Sequence, residues 1–442
     1  MILNPIGWLK LEFQRVLTRK MLDNQRNERI KSKRERKRQD ENRKHIVYYF
    51  HQVDDPYSHL CSQILESLDG SYDIELKILL VPEPTNEAAP EPLLLKTHSF
   101  EDAKAIAPFF NLEFNPEIKM PNTEIIRLAQ WVLISNENKS IKILKEVSDL
   151  LWSNNKLGLE IMATGVLNEG AIESTLAINS KLRKKNGHYL GGVFAYEGEC
   201  YWGIDRLPLL EKRLTELGAS KSEGNLIIKK ISSGHTDIKD FGLEIDVLWS
   251  ARSPYSYLVM KPLSELSKKY HLKINYRIIL PMVMRGMKVS FEKRIYITRD
   301  CKRIADERNI PFGNIVDPLG LAVERCYSLF DYVKKHNKEK EYLQAFAESV
   351  WAKGLHGYMK KNLKNIIESI DLNWKDAKNE LDSVGWKKEV ELNREKLFSL
   401  GKWGPPTMIL KNNEGDEIMT VWGQDRIWLL EEHIKMMQIE NN

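Results

Sequence analysis

No run of 18 apolar residues occurs anywhere in the 442-residue chain, which excludes a hydrophobic spanning helix. Cysteine is scarce: Cys61, Cys200, Cys301 and Cys326 are scattered, with none closer than 25 residues to the next. That spacing excludes a disulfide scaffold and any C-x-x-C redox or zinc motif. The chain has no P-loop, no G-x-G-x-x-G after a strand, no G-x-S-x-G and no H-E-x-x-H. Its ten histidines show no metal-ligand spacing. A secretory leader is not expected either, because Lys10, Glu12 and Arg15 interrupt any hydrophobic region. The expected location is cytoplasmic. What remains is ordinary: 42% hydrophobic and 29% charged residues suit a soluble chain with a full core. The length predicts more than one domain at ~150 residues each.

The net charge of +5 is unevenly placed. Residues 1–44 carry 14 Lys/Arg and 6 Asp/Glu, so the remainder is weakly acidic. Trp8, Leu9, Phe13, Val16, Leu17 and Met21 recur at roughly helical spacing, with Lys10, Arg15, Arg19 and Lys20 between them. Residues 1–44 therefore read as a basic amphipathic helix with too little apolar stripe to complete a core. Two roles stay open, a solvated extension and a helix lying on a membrane surface as a peripheral contact. Nucleic acid is disfavoured, since no stacking aromatics interleave the basic run Lys31–Arg38.

The chain repeats itself. Asp55-Pro-Tyr-Ser-His-Leu60 and Ser253-Pro-Tyr-Ser-Tyr-Leu258 lie 198 residues apart, each after an apolar, β-prone run. At the same offset Asp102, Lys104, Ile106, Ala107, Asn111 and Phe114 match Asp300, Lys302, Ile304, Ala305, Asn309 and Phe312. Trp202-Gly-Ile-Asp-Arg206 matches Trp422-Gly-Gln-Asp-Arg426 at an offset of 220. The reading is two homologous domains, 45–218 and 242–438, joined by a polar linker over 219–241. Each copy reads strand, helix, strand, long helical stretch, hairpin, helix. In the second copy the strands are Leu243–Trp249, Lys273–Leu280, Thr407–Leu410 and Glu417–Trp422, the last two flanking the turn signal Asn412–Gly415. The expected closing helix is Ile427–Ile434. A βαβ unit, a helical insertion and then ββα is the plan of a thioredoxin fold.

The second copy carries in order Ser253-Pro-Tyr-Ser, Lys293-x-x-Tyr296-x-x-x-Asp300-x-x-Arg303-x-Ala305, Trp351-Ala-Lys-Gly354, Gly404-Pro-Pro-Thr407 and Gly423-Gln-Asp-Arg426. In these residues it resembles the DsbA-related thioredoxin-fold enzymes, in the branch of 2-hydroxychromene-2-carboxylate isomerase and kappa-class glutathione transferase. The fold class expected is α/β: two tandem thioredoxin-like domains, each with a helical insertion, after a charged N-terminal helix.

The resemblance implies a site. Ser253 stands where the family has its catalytic serine; by residue type it is also an N-cap with Pro254 at the first helical position. A serine hydroxyl there can donate to the sulfur of glutathione and help hold it ionised, but cannot exchange a disulfide. The family pattern puts Gln424 and Asp425 at the γ-glutamyl end of glutathione and Lys293 at its glycine carboxylate, while a helix cap and a solvated lysine are the plain alternatives. Pro406 matches the cis-proline, and Pro405 precedes it where the family's backbone binds the cysteine part of glutathione. Pro405 has no N–H to offer. Tyr255 and Trp403 are placed to wall the substrate side, or to pack in the core. In the first copy Asp55 replaces the serine and Gly191-Gly192 replaces the prolines, so that copy reads as catalytically silent, with His59 structural.

Three functions follow as expectations. The first is a glutathione-dependent isomerase or transferase acting on a small electrophilic or aromatic substrate. The second is a thiol–disulfide oxidoreductase relative without redox cysteines. The third is a non-catalytic interaction scaffold. No oligomeric state follows.

Overall fold

A computed structural model of the chain describes residues 5–115, 117, 119–136, 140–221, 226–229 and 242–440. These divide into two compact units: residues 29–231 with 289–296, and residues 1–28 with 232–288 and 297–442, for the described residues in each case. Much of the expected linker, residues 230–241, lies outside the described residues.

The first unit holds a four-stranded sheet of order β2-β1-β3-β4. β1 (His45–His51) runs parallel to β2 (Ile74–Leu80) and antiparallel to β3 (Val193–Tyr196), which pairs with β4 (Glu199–Trp202). A parallel neighbour demands a crossover, supplied by the helices Pro56–Ser62 and Leu65–Ser71. Helices between Pro92 and Asn186 intervene before the β3–β4 hairpin, and Gly203–Glu216 closes the unit.

The second unit repeats that order as β6-β5-β7-β8, with the same strand directions. Its strands are β5 (Glu244–Trp249), β6 (Lys273–Ile278), β7 (Thr407–Lys411) and β8 (Glu417–Trp422), close to the expected ranges. The closing helix, Ile427–Glu440, runs further than expected. β5 is central, so Ile245, Val247, Leu248 and Trp249 are all buried. Asp246 is buried among them because Lys411, at 3.3 Å, and Arg277, at 3.5 Å, neutralise it. The β7–β8 turn forms because the Asn412 side chain accepts from the Glu414 and Asp416 N–H groups, while Gly415 adopts φ +92°.

The N-terminal segment departs from the expectation. It forms two helices, α1 (Pro5–Leu22) and α2 (Asn24–Asp40), each docked on a unit. In the second unit Leu22 of α1 is buried, Glu12 meets His356 at 2.7 Å, and Arg15 donates to Asn314 at 3.2 Å. In the first unit α2 uses Arg34 on the Glu197 carbonyl and Lys31 beside Glu199 at 3.8 Å. Polar side chains make these contacts, so counting an apolar stripe misses them. Leu22→Ala should cost about 2 kcal/mol, the low end for a buried leucine at a helix end. Thermal unfolding should show a drop of roughly 4–8 °C. An unchanged melting temperature would mean that α1 adds nothing to the unit.

Candidate functional site

In the second unit β5 ends at Trp249 and the chain turns sharply into the helix Pro254–Leu258. Ser253 caps that helix: its Oγ accepts from the Ser256 N–H at 3.2 Å, and Pro254 fills the first helical position. The same Oγ donates to the Pro405 carbonyl at 3.1 Å. The Pro405–Pro406 peptide is cis. The Pro406 carbonyl accepts from the Gly423 N–H at 2.9 Å, and Gln424 and Asp425 follow in a turn packed against the helix Pro254–Leu258. Ser253, Pro405, Pro406, Gln424 and Asp425 are therefore brought together. Gln424 is 1% exposed; its amide nitrogen donates to Asp425, and its Oε1 has no hydrogen-bond partner. A buried carbonyl oxygen left that way costs about 1–3 kcal/mol, so this atom is poised for a donor.

The other expected residues are placed differently. The Tyr255 hydroxyl donates to Asp300 at 2.8 Å, and Arg303 meets the same carboxylate at 3.2 Å. Trp403 is 2% exposed and packs on Trp422 at 4.3 Å between ring centroids, while its carbonyl accepts from Arg285 at 2.6 Å. Trp403 is thus held in the core, while Tyr255 is half-buried with its hydroxyl anchored on Asp300. Lys293 groups with the first unit. Its ammonium donates to the Ala88 carbonyl at 2.8 Å and lies over the Tyr189 ring at 5.6 Å, and burial pushes its pKa down to about 8. None of these contacts is with Ser253, Gln424 or Asp425.

Sequence reasoning missed Arg252, which precedes the cap and grips Asp317 through two bonds of 2.7 and 2.8 Å. It also missed why Asp102 and Asp300 recur. Each accepts from the tyrosine of its own Pro-Tyr-Ser motif, Tyr57 at 2.6 Å and Tyr255 at 2.8 Å. The matched aspartates were a usable signal for that pairing.

At the corresponding place in the first unit, Asp55 caps the helix α3 (Pro56–Ser62), accepting from the Ser58 N–H at 2.9 Å and the Ser58 hydroxyl at 2.6 Å. Gly191 lies against this cap so closely that a Cβ would fall 2.4 Å from Gln52 and 2.8 Å from Ser58 Oγ, and Gly192 holds φ +62°. Neither position tolerates a side chain. His59 bonds Ser148 at 2.9 Å and stacks on Trp152, and burial pushes its pKa down to about 4.

Burial pushes the Asp55 carboxyl up to about 6, partly offset by the Ser58 bonds. A carboxyl raised on folding stabilises the fold below its unfolded pKa, near 4, and that contribution is lost as pH rises through 6. Asp55→Asn keeps the cap without the charge. It should match wild type at low pH and exceed it by roughly 1–3 kcal/mol at pH 7. Denaturant titrations at both pH values check this, and lower stability of the variant at pH 7 would contradict it.

The model of the DSBA-like thioredoxin domain family matches residues 244–435. A 2-hydroxychromene-2-carboxylate isomerase from Pseudomonas putida is 26% identical over 198 residues, covering 42% of this chain and 92% of that protein. Among solved structures, a 2-hydroxychromene-2-carboxylate isomerase is 21% identical, covering 45% of this chain and 97% of its own, with a TM-score of 0.38. The cytosolic disulfide reductase DsbM from Pseudomonas aeruginosa is 15% identical over 44% of this chain and 99% of its own, with a TM-score of 0.34. Residues 244–435 are a DsbA-like thioredoxin domain.

Proposed function

We propose that this domain is a glutathione-dependent isomerase or transferase acting on a small electrophilic or aromatic substrate in a cytoplasmic setting. The observation that carries the reading is the linked cluster of the Ser253 hydroxyl, the Pro405–Pro406 turn, and the Gln424–Asp425 pair with its unpartnered amide oxygen. The similarity to a 2-hydroxychromene-2-carboxylate isomerase supports the reaction class. The four cysteines are all buried and none forms a disulfide, which supports a reducing compartment and argues against disulfide exchange.

The residues fit the amino-acid end of glutathione. The Asp425 carboxylate and the buried Gln424 Oε1 are acceptors matched to an ammonium. Pro405 offers no N–H to the cysteine part, and its carbonyl is engaged by Ser253. Lys293 is engaged by Ala88, which leaves the glycine carboxylate to another group. Bound glutathione would supply a soft sulfur nucleophile. The Ser253 hydroxyl proton, free to rotate while its oxygen still caps the helix, turns from the Pro405 carbonyl to a sulfur anion and stabilises it. The helix end adds partial positive charge on the same side.

The first unit is, in this proposal, a silent duplicate. The shared strand order, the paired Tyr–Asp contacts and the capped Pro-Tyr-Ser turn in each unit support duplication. Asp55 in place of serine supports silence. A second reading, a non-catalytic scaffold, is favoured by the engagement of Lys293 with the Ala88 carbonyl. Calorimetric titration with reduced glutathione separates the two: one site per chain is expected, and no binding would leave the scaffold.

A further inference from the structure

α1 presents its two faces in an inverted way. The face turned to the second unit carries Leu11, Arg15, Thr18 and buried Leu22, with Glu12 and Arg15 making the polar contacts. The opposite face carries Leu9, Phe13, Val16 and Leu17, which are 59, 64, 43 and 50% exposed. At 100° per residue these four fall within one third of the helix circumference. Trp8, 41% exposed, stacks on His356 at the border of the face. Lys10 and Arg19 flank the stripe on either side, and Lys20 extends it at the C-terminal end; all three are exposed. A solvated helix of a folded unit normally turns such a stripe inward.

We propose that this outward face of α1 docks on an anionic lipid surface, with the helix lying flat. The apolar side chains enter the headgroup boundary, while Lys10, Arg19 and Lys20 reach lipid phosphates and carboxylates. The stripe from Leu9 to Leu17 is only ~12 Å long, and among the described residues no helix is long and apolar enough to cross a membrane. Charge decides between this occupant and a second copy of the chain. In a self-association through the stripe, Lys20 on its axis would be desolvated against apolar groups or the partner's own lysine. On a bilayer the same lysine keeps its ammonium in the headgroups while its stem covers apolar surface. The proposal is independent of any glutathione site.

The test uses the full chain, sedimented with vesicles of phosphatidylcholine alone or with a minority of phosphatidylserine. Binding to the anionic vesicles is expected, falling about fivefold for each of Lys10, Arg19 and Lys20 changed to Gln. Leu9→Ser with Phe13→Ser should reduce it by tenfold or more, because each replaces a fully usable apolar anchor. These positions are exposed, so the variants should melt with wild type, and sedimentation in their presence reports docking rather than folding. Equal binding to neutral vesicles, or binding unchanged in the Leu9/Phe13 variant, would overturn the proposal. So would a dimer in light scattering that the Leu9/Phe13 variant converts to monomer while wild type ignores vesicles.

Discussion

Asp425→Ala is expected to weaken the binding of reduced glutathione by about 10- to 150-fold, the effect of removing a charged hydrogen-bond partner worth about 1.5–3 kcal/mol. Gly423 is tied to the Pro406 carbonyl at 2.9 Å, which sets the turn that carries Gln424 and Asp425. Gln424 donates to Asp425 and so holds the carboxylate beside its own unpartnered oxygen. An ammonium meeting both gains a charged and a neutral acceptor at once. Gln424→Leu should therefore cost less than Asp425→Ala, about five- to tenfold for one neutral hydrogen bond. Calorimetry on the full chain checks both, with one site per chain as the stoichiometry. Binding that survives Asp425→Ala undiminished, or two sites per chain, contradicts the assignment.

Ser253→Asp is expected to leave the fold intact and to abolish thiolate stabilisation. Aspartate keeps the cap but loses the hydroxyl bond to the Pro405 carbonyl, so the variant should unfold about 1–2 kcal/mol below wild type. Ser253→Ala should cost about 0.5–2 kcal/mol, because the Ser256 N–H loses its acceptor. Affinity separates the roles. A carboxylate at the cap would repel a neighbouring sulfur anion, which at ~4 Å is worth several kcal/mol at a protein surface. Asp55 is the same substitution in the first unit, where burial already pushes the carboxyl up to about 6. Glutathione affinity above neutral pH should thus fall at least tenfold in Ser253→Asp, and less in Ser253→Ala. The reverse order of the two variants would make Ser253 a cap alone.

The sheet of the second unit was legible in the sequence because its signals are local. β5 is a short β-prone run ending in Val247-Leu-Trp249, and the β7–β8 hairpin is marked by Asn412 and Gly415, whose side-chain bonds and positive φ make the turn. The cap at Ser253 was legible for the same reason, whereas the cis bond at Pro405–Pro406 came only through the family resemblance. Contacts distant in sequence were not. Arg252 finds Asp317 across 65 residues, and Lys293 finds Ala88 across 205, with no periodicity to announce either. The helical spacing of α1 was visible, but not which face would dock. Glu12 and Arg15 turn inward to His356 and Asn314, and a pattern of apolar residues carries no information about polar partners so far away. Trp403 looked available for a substrate because an aromatic beside a turn can face either way; Trp422 takes it into the core.

The most direct test of the account is the ionisation of the glutathione thiol at this site. Thiolate absorbs in the ultraviolet, so the absorbance of glutathione bound to the wild-type chain can be followed across pH against free glutathione. The account predicts a thiol pKa well below the free value, since the Ser253 hydroxyl and the helix end both favour the anion. A bound thiol that titrates at or above the free value would contradict it.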